Sequence, residues 1–338
     1  RAFEGVLFRD DLSSLHVDAA REEAFETLVF EAGAPVRTFD QERTSFIFGA
    51  LDPSARPLFG TSASLAAVGL PELQAFRALN FRAEESVLGA TGPMSGDDLA
   101  AVLATPVRVL EARAPDPAPT VAGAPTPAGV LPPRPRLSLE RSEAAPLEAP
   151  ATSTSPPPWT TEERATVEEE LTSIWISLAL PFPSGTPPLL LDFVSHLVLE
   201  ALTPSPPDPG LYEAGVMTLD VRGAPVLVVT TSVDPRAASR WEARLRETIA
   251  NLAQAPPEGA FFELARRRFR SNQLLDLAIP ENRAAWIARH VSRDPTGVIP
   301  DPARDVWRIR GPAVAALVSS AGPARVILFG PIGMMGTP

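Results

Sequence analysis

The chain has 338 residues, no cysteine and a formal net charge of −11, with 45% hydrophobic and 21% charged residues. Zero cysteine excludes disulfides, thiolate metal sites and cysteine nucleophiles, and the acidic balance disfavours binding to a nucleic-acid backbone, which needs a basic surface. No run of about 18 apolar residues offers a membrane span, and the stretch Arg1–Asp10 lacks the charged, apolar and small-residue succession of a signal peptide.

All 30 basic residues are arginine. With abundant Ala and Pro, this bias points to a GC-rich bacterial coding sequence. Residues 1–112 read as a mixed region. A helix capped by Asp18 or a neighbour runs to about Phe30, with Gly33 as its stop and Ala24, Phe25, Leu28 and Val29 as its apolar stripe. Gly60–Thr61 marks a turn. Leu70–Leu79 reads as a helix with Pro71 in its first turn. Ser86–Ala90 reads as a strand, Gly96–Leu103 as a helix and Val107–Leu110 as a strand.

Residues 113–158 hold 13 of the 39 prolines. Proline fixes φ and removes a backbone donor, so this stretch forms neither a regular helix nor a central strand. It is expected to be an extended linker. Its segment Pro132–Pro133–Arg134–Pro135–Arg136 is the alternative, a docking ligand for an aromatic groove.

After the linker, Thr160 or Thr161 with Glu162 and Glu163 opens a short acidic stretch. An alternating strand, Leu171–Leu180, leads into an apolar helix, Leu189–Leu202. Two long strands follow, Tyr212–Val221 and Pro225–Val233, joined at Arg222–Gly223, where Gly223 supplies positive φ. Asp234 or Ser232 caps the next helix and Pro235 starts it. Trp241, Leu245, Thr248, Ile249 and Leu252 line one of its faces. Helices at Glu258–Leu277 and Glu281–Val291, a Pro-rich loop at Asp294–Asp305, a helix at Pro312–Ser320 and a strand at Arg325–Phe329 complete the order. That order predicts an α+β module, a sheet covered by helices.

Few residues carry chemistry. The three histidines, His16, His196 and His290, stand far apart in sequence. His196 sits among Val194, Leu197 and Val198 and reads as a packed helix histidine. His290, beside Arg289 and Arg293, reads as a charge partner at a helix C-terminus. His16 is expected to be exposed. Glu22, Glu23 and Glu26 read as a solvated acidic face; the alternative is a zinc ligand completed by histidines from a separate fragment. Asp97–Asp98 begin or cap a helix. Arg266–Arg268 with Arg270 read as a solvated helix face. "GPIGMMG" at 330–336 lacks the lysine and helix of a phosphate loop and reads as a flexible tail, with Met334–Met335 as a possible contact point.

The order of elements resembles half of a pitrilysin/insulinase-type metallopeptidase, a family that includes the mitochondrial processing peptidase and its non-catalytic relatives. The carrying segments are "TSIWISLALPFP" (172–183), "LLLDFVSHLVLEAL" (189–202), "GLYEAGVMTLDVRGAPVLVVTTSVDP" (210–235), "FFELARRRFRSNQLL" (261–275) and "VAALVSSAGPARVILFGP" (314–331). Residues 56–103 are similar to the tail of the family's other half-domain. The resemblance implies two half-domains, each an antiparallel-rich sheet covered by helices, joined by a Pro-rich linker. The divisions are 1–112 for a partial first half-domain, 113–158 for the linker, 159–333 for the second half-domain and 334–338 for a tail.

Two departures shape the functional expectation. The family's catalytic domain carries His-x-x-Glu-His, two imidazoles one helical turn apart on zinc with glutamate as general base. None of the three histidines has a second at that spacing, so no catalytic residue, metal ligand or cofactor is assigned. In related proteins the half without zinc contributes an arginine and a tyrosine that grip the substrate backbone. Tyr212 stands at the tyrosine position, while "TPSPPDPGL" upstream holds no arginine. The expectation is therefore a non-catalytic, truncated relative: a scaffold or partner subunit that binds a peptide or a catalytic chain, with Tyr212 the peptide-binding candidate and the strand around Tyr212–Val221 the exposed edge. The alternatives are the substrate-binding part of a zinc metallopeptidase whose His-x-x-Glu-His half is supplied by another polypeptide, and a structural subunit of an envelope or respiratory assembly. Expected partners are protein or peptide, with no nucleic acid and no membrane span. Zero cysteine leaves the compartment open; a bacterial periplasm or cell envelope is favoured over the cytoplasm.

Overall fold

The computed structural model describes residues 13–49, 52–57, 60–80, 91–93, 95, 97–98, 101, 158–203, 208–221, 223–293 and 301–335. In chain order the elements are α1 (Ser14–Ala32), α2 (Pro35–Phe48), α3 (Ser62–Ala67), α4 (Leu70–Asn80), β1 (Glu163–Glu168), β2 (Ile174–Pro181), α5 (Pro188–Leu202), β3 (Leu211–Val221), β4 (Ala224–Val233), α6 (Ala238–Gln254), α7 (Gly259–Ala278), α8 (Pro280–Arg293), α9 (Pro302–Asp305), α10 (Gly311–Ser319) and β5 (Arg325–Gly330). Contacts gather them into two compact units. One holds residues 34–56, 142–276 and 300–338, and the other holds 1–33, 57–141 and 277–299.

The larger unit is built on a five-stranded sheet in the order β1-β5-β2-β4-β3. β1 runs parallel to β5, and the other three pairings are antiparallel. The central strands β2, β4 and β5 read as nearly unbroken apolar runs, the pattern of strands covered on both faces. Because side chains alternate across a strand, β2 sends Ile174, Ile176, Leu178 and Leu180 to one face and Trp175 and Ala179 to the other.

Helices α5, α6 and α10 cover the first face. α5 is apolar nearly all round, and eight of its residues are buried, Phe193 and Leu197 among them; such a helix has nowhere to lie but in a core. Trp241, Leu245 and Leu252 of α6 face inward at helical spacing. α10 starts at Gly311, where a Cβ would stand 2.3 Å from the Pro257 carbonyl oxygen, so the approach of the two backbones requires glycine.

The second face is covered by α2. Phe39 meets Trp175 edge-on at 5.1 Å and Phe329 at 5.6 Å, and Trp175 stacks on Phe329 at 5.8 Å. Ile47 and Trp159 close over Ala179, Val226 and Val228. Arg325 of β5 ties this layer together. Its Nη1 donates to the Phe46 and Ile47 carbonyls at 2.9 and 3.1 Å, its Nη2 to Glu163 at 3.0 Å, and its guanidinium lies 4.7 Å from the Trp159 ring centroid. The last carbonyls of a helix lack internal donors, and a cation there also complements the helix dipole.

The smaller unit is helical among the described residues. Thr61 and Ser64 form a capping box at the start of α3. Arg21 of α1 donates to the Val68 carbonyl at 2.5 Å, and Thr91 donates to the Pro280 carbonyl at 3.0 Å. Leu15, Val29, Phe30 and Leu79 are each more than two-thirds exposed.

Several expectations are corrected. The acidic stretch after Thr161 is a strand, β1: pairing with β5 overrides its polar composition. Strand β2 begins at Ile174 rather than Leu171. α2 was not anticipated, and the loop 294–305 contains the helical turn α9. Arg266 is not solvated. It is 7% exposed, packs over the Phe262 and Trp307 rings, pairs with Glu263 and donates to the Ile309 carbonyl at 3.3 Å. The segment after β5 is anchored by the Gly333 N–H on Glu168 Oε2 at 3.3 Å, and Met335 packs against the core. The expected strands at 86–90 and 107–110 lie outside the described residues.

Two substitutions test this packing. Phe193→Ala removes a fully buried ring that meets Phe262 at 5.7 Å and Phe269 at 5.4 Å, and is expected to cost about 3–5 kcal/mol in urea unfolding. Arg266→Ala is expected to cost about 2–4 kcal/mol by leaving buried carbonyls without a donor. Arg266→Lys should not rescue it, because an ammonium neither stacks on two rings nor forks between acceptors.

Candidate functional site

The two edges of the sheet differ in kind. The β1 edge is charged: Glu162 pairs with Arg246, Arg164 with Glu242 at 3.1 Å and Glu163 with Arg325. Charged side chains on an edge strand oppose pairing with another chain. Burial alone would raise the Glu242 pKa; Arg164 and Arg246 together outweigh it and hold that carboxyl below its ordinary value.

The β3 edge is long and pairs with β4 on one side only among the described residues. Gly223, at φ 81°, closes the β3–β4 hairpin, and its N–H donates to Asp220 Oδ1 at 2.8 Å. At the other end of β3 the register slips: Leu211 faces Val233 and Glu213 faces Ser232, so Tyr212 is the extra residue of a β-bulge. A bulge turns its residue away from the regular alternation. Tyr212 is accordingly 59% exposed, and its hydroxyl donates a long hydrogen bond to Asp234 Oδ2 at 3.5 Å.

Asp234 also caps the turn before α6 by accepting from the Arg236 N–H at 2.8 Å, and its own N–H donates to the Gly210 carbonyl at 3.0 Å. The cap expected at Asp234 is therefore present. Beside it, Asp208 accepts from the Gly210 N–H at 2.9 Å, from Arg240 at 2.8 Å and from Arg244 at 3.5 Å. Arg244 in turn lies 4.7 Å from the Trp241 ring centroid. The sequence offered no arginine just before Tyr212; α6 brings two to that place from about 30 residues further on, a spacing that only the tertiary fold reveals.

Each of the remaining chemical candidates has its own surroundings. His196 is packed as expected: its Nε2 lies 3.2 Å from the Ala265 carbonyl oxygen and its ring 5.6 Å from that of Phe269. Burial, the largest effect, pushes its pKa below 6.5 against the pull of Glu200. His16 is exposed and paired with Ser13 at 3.2 Å, and Glu22, Glu23 and Glu26 lie on an exposed face. Asp98 is capped by Ser95, and the side chain of His290 lies outside the described residues. Among the described residues no three His, Asp or Glu side chains are placed to hold a metal ion. No described helix is long and apolar enough to cross a membrane.

Among the described residues these elements define a helix-covered mixed sheet with one charged edge and one edge, β3, without a second strand partner. No family model and no curated protein matches the chain. Solved structures do. An inactive domain of a peptidase M16 from Pseudomonas fluorescens superposes with a TM-score of 0.65 at 12% identity, over 97% of this chain and 73% of that one. The periplasmic protease PqqL from Escherichia coli gives 0.61 at 12% identity, over 95% of this chain and 33% of that one. A ferredoxin protease, FusC, in complex with Arabidopsis ferredoxin gives 0.59 at 12% identity, over 97% and 34%. The chain therefore has the fold of the pitrilysin-type, or M16, peptidases, as its order of elements suggested.

The His196 environment sets a pH dependence. The folded state disfavours the imidazolium and the unfolded state does not, so the unfolded chain binds more protons below pH 6.5. The stability contributed by neutral His196 is full above pH 6.5 and is lost as pH falls through the lowered folded value. Urea unfolding at pH 7.5 and pH 5 should show this loss, and His196→Gln should reduce it.

Proposed function

We propose that this chain is a non-catalytic, peptidase-like scaffold that receives an extended peptide, or a strand of a catalytic chain, on the β3 edge. The single observation behind this reading is an edge of 11 residues that has no second strand partner among the described residues, with Tyr212 turned outward by a bulge at its start. Strand addition to such an edge supplies main-chain hydrogen bonds for affinity, while exposed side chains such as Tyr212 supply selection. The protein partner of the ferredoxin protease supports a protein or peptide as the ligand class. The periplasmic protease among the similar structures supports a periplasmic or envelope location. We also infer the two-half arrangement, with 1–112 and 159–333 as half-domains, 113–158 as the linker and 334–338 as the tail; the nearly complete coverage by these structures supports it.

A second reading has its own support. The chain spans only about a third of the two whole proteases, so a zinc-bearing half in another polypeptide is compatible with this scaffold. Co-purification with a His-x-x-Glu-His protein and one bound zinc would favour it.

Hydrogen exchange tests the main reading. Decapeptides selected on the purified chain from a randomised library should slow amide exchange in residues 211–221. Binding should weaken about tenfold in Tyr212→Ala, the loss of an aromatic anchor of about 1–2 kcal/mol, with the thermal midpoint unchanged. Protection confined to any other element would refute strand docking at β3.

A further inference from the structure

Three arginines follow one another at four-residue spacing beside the start of β3: Arg236, Arg240 and Arg244. Arg240 and Arg244 lie in α6, where side chains four apart share a face, and Arg236 lies in the 3₁₀ turn just before it. Arg240 is the best placed. Its side chain is 62% exposed, and Nη2 bonds Asp208 Oδ1 at 2.8 Å. A Cβ built on Gly210 would lie 3.1 Å from the same Nη2, so this guanidinium lies against the backbone that enters β3, two residues before Tyr212. A side chain at 210 would also meet Ala237 Cβ at 2.9 Å, so glycine there serves the packing of the following turn as well as the guanidinium.

A guanidinium carries five N–H donors. The bond to Asp208 orients Arg240 and leaves donors for a second carboxylate, and an already oriented fork loses less freedom when it binds. The acidic groups around this point are Asp208, Asp234 and Glu213. Asp208 accepts from two arginines and the Gly210 N–H. Asp234 accepts from the Arg236 N–H and the Tyr212 hydroxyl. Glu213, exposed in β3, is the one that opposes an incoming anion.

The geometry points to an acidic peptide as the occupant: an extended segment whose main chain pairs with β3 and whose carboxylate is held by Arg240, with Arg236 one turn away. This rests on the strand-docking reading above and adds the ligand's charge to it. The carboxylate has two sources, an Asp or Glu side chain or the peptide's own C-terminus.

Two randomised decapeptide libraries, one amidated and one with free C-termini, separate these sources when selected on the purified chain and titrated by fluorescence anisotropy. Enrichment of Asp or Glu at one position of the amidated library assigns the side chain. Tighter binders from the free-carboxylate library alone assign the terminus. In either case Arg240→Gln should weaken the selected peptide roughly threefold to tenfold, Glu213→Gln should tighten it, and raising salt to about 1 M should erase the difference. Should Arg240→Gln also lower the thermal midpoint through Asp208, the Glu213→Gln gain and the salt response decide. Selected peptides that protect β3 without any carboxylate preference would overturn the acidic ligand and leave strand docking intact. Libraries that yield no binder at all would overturn both.

Discussion

The larger unit is governed by one constraint: the middle of its sheet is apolar on both faces. Apart from the hydroxyl pairs Ser177–Thr230 and Ser173–Ser232, strands β2, β4 and β5 offer apolar side chains on both faces, so one layer of helices does not suffice. On one side the apolar α5 and the stripe of α6 fill the space with aliphatic and aromatic side chains. On the other side the rings of Trp175 and Phe329 need a cover, and α2 supplies it with Phe39 and Ile47. Aromatic pairs in tilted and stacked geometry add specificity to that contact beyond the area they bury. Without α2, this face would be an exposed patch of the kind that soluble chains rarely tolerate.

With both faces occupied, interaction is left to the edges, and the two have been treated in opposite ways. β1 is short, and ion pairs join its Arg164 to Glu242, its Glu163 to Arg325 and the preceding Glu162 to Arg246, a device that discourages further pairing. β3 is long, and its main irregularity, the bulge at Tyr212, sits where Asp208, Asp234 and the α6 arginines converge. Bulges re-aim a side chain at the cost of a locally broken ladder. The protein thus carries a defended margin and an approachable one in a single sheet. Buried charge elsewhere is structural: burial would raise the Asp305 pKa, but the Asp301 N–H with Arg304 and Arg308 holds that carboxyl below its ordinary value.

Much of this was legible in the sequence where one strong period dominated. The apolar run of α5, the strongly apolar strands β2 and β4 and the Trp241–Leu245–Leu252 stripe each matched one template. The Asp234–Pro235 start of the next turn and the glycine at 223 carried specific backbone chemistry. What escaped were elements whose reason lies elsewhere in the chain. β1, Glu-Arg-Ala-Thr-Val-Glu, has no apolar signature because only its neighbour β5 makes it a strand. α2 mixes Arg37, Asp40, Gln41 and Arg43 with its apolar residues, and its meaning appears only against Trp175 and Phe329. Arg266 read as one of a solvated run, since nothing local shows that Trp307 and the Ile309 carbonyl will meet it. Tyr212 was singled out by the family resemblance, which places a tyrosine there, but the arginines beside it belong to a different segment.

The Arg325 contacts join residues 278 and 279 positions apart. A ribosome makes α2 long before β5. Until that strand emerges, α2 lacks both the ring of Phe329 and the guanidinium that satisfies its final carbonyls. The covering of this face therefore carries a very high contact order. During synthesis the aromatic side of β2 lacks the Phe329 ring until β5 has emerged, and exposed apolar surface of that kind favours self-association.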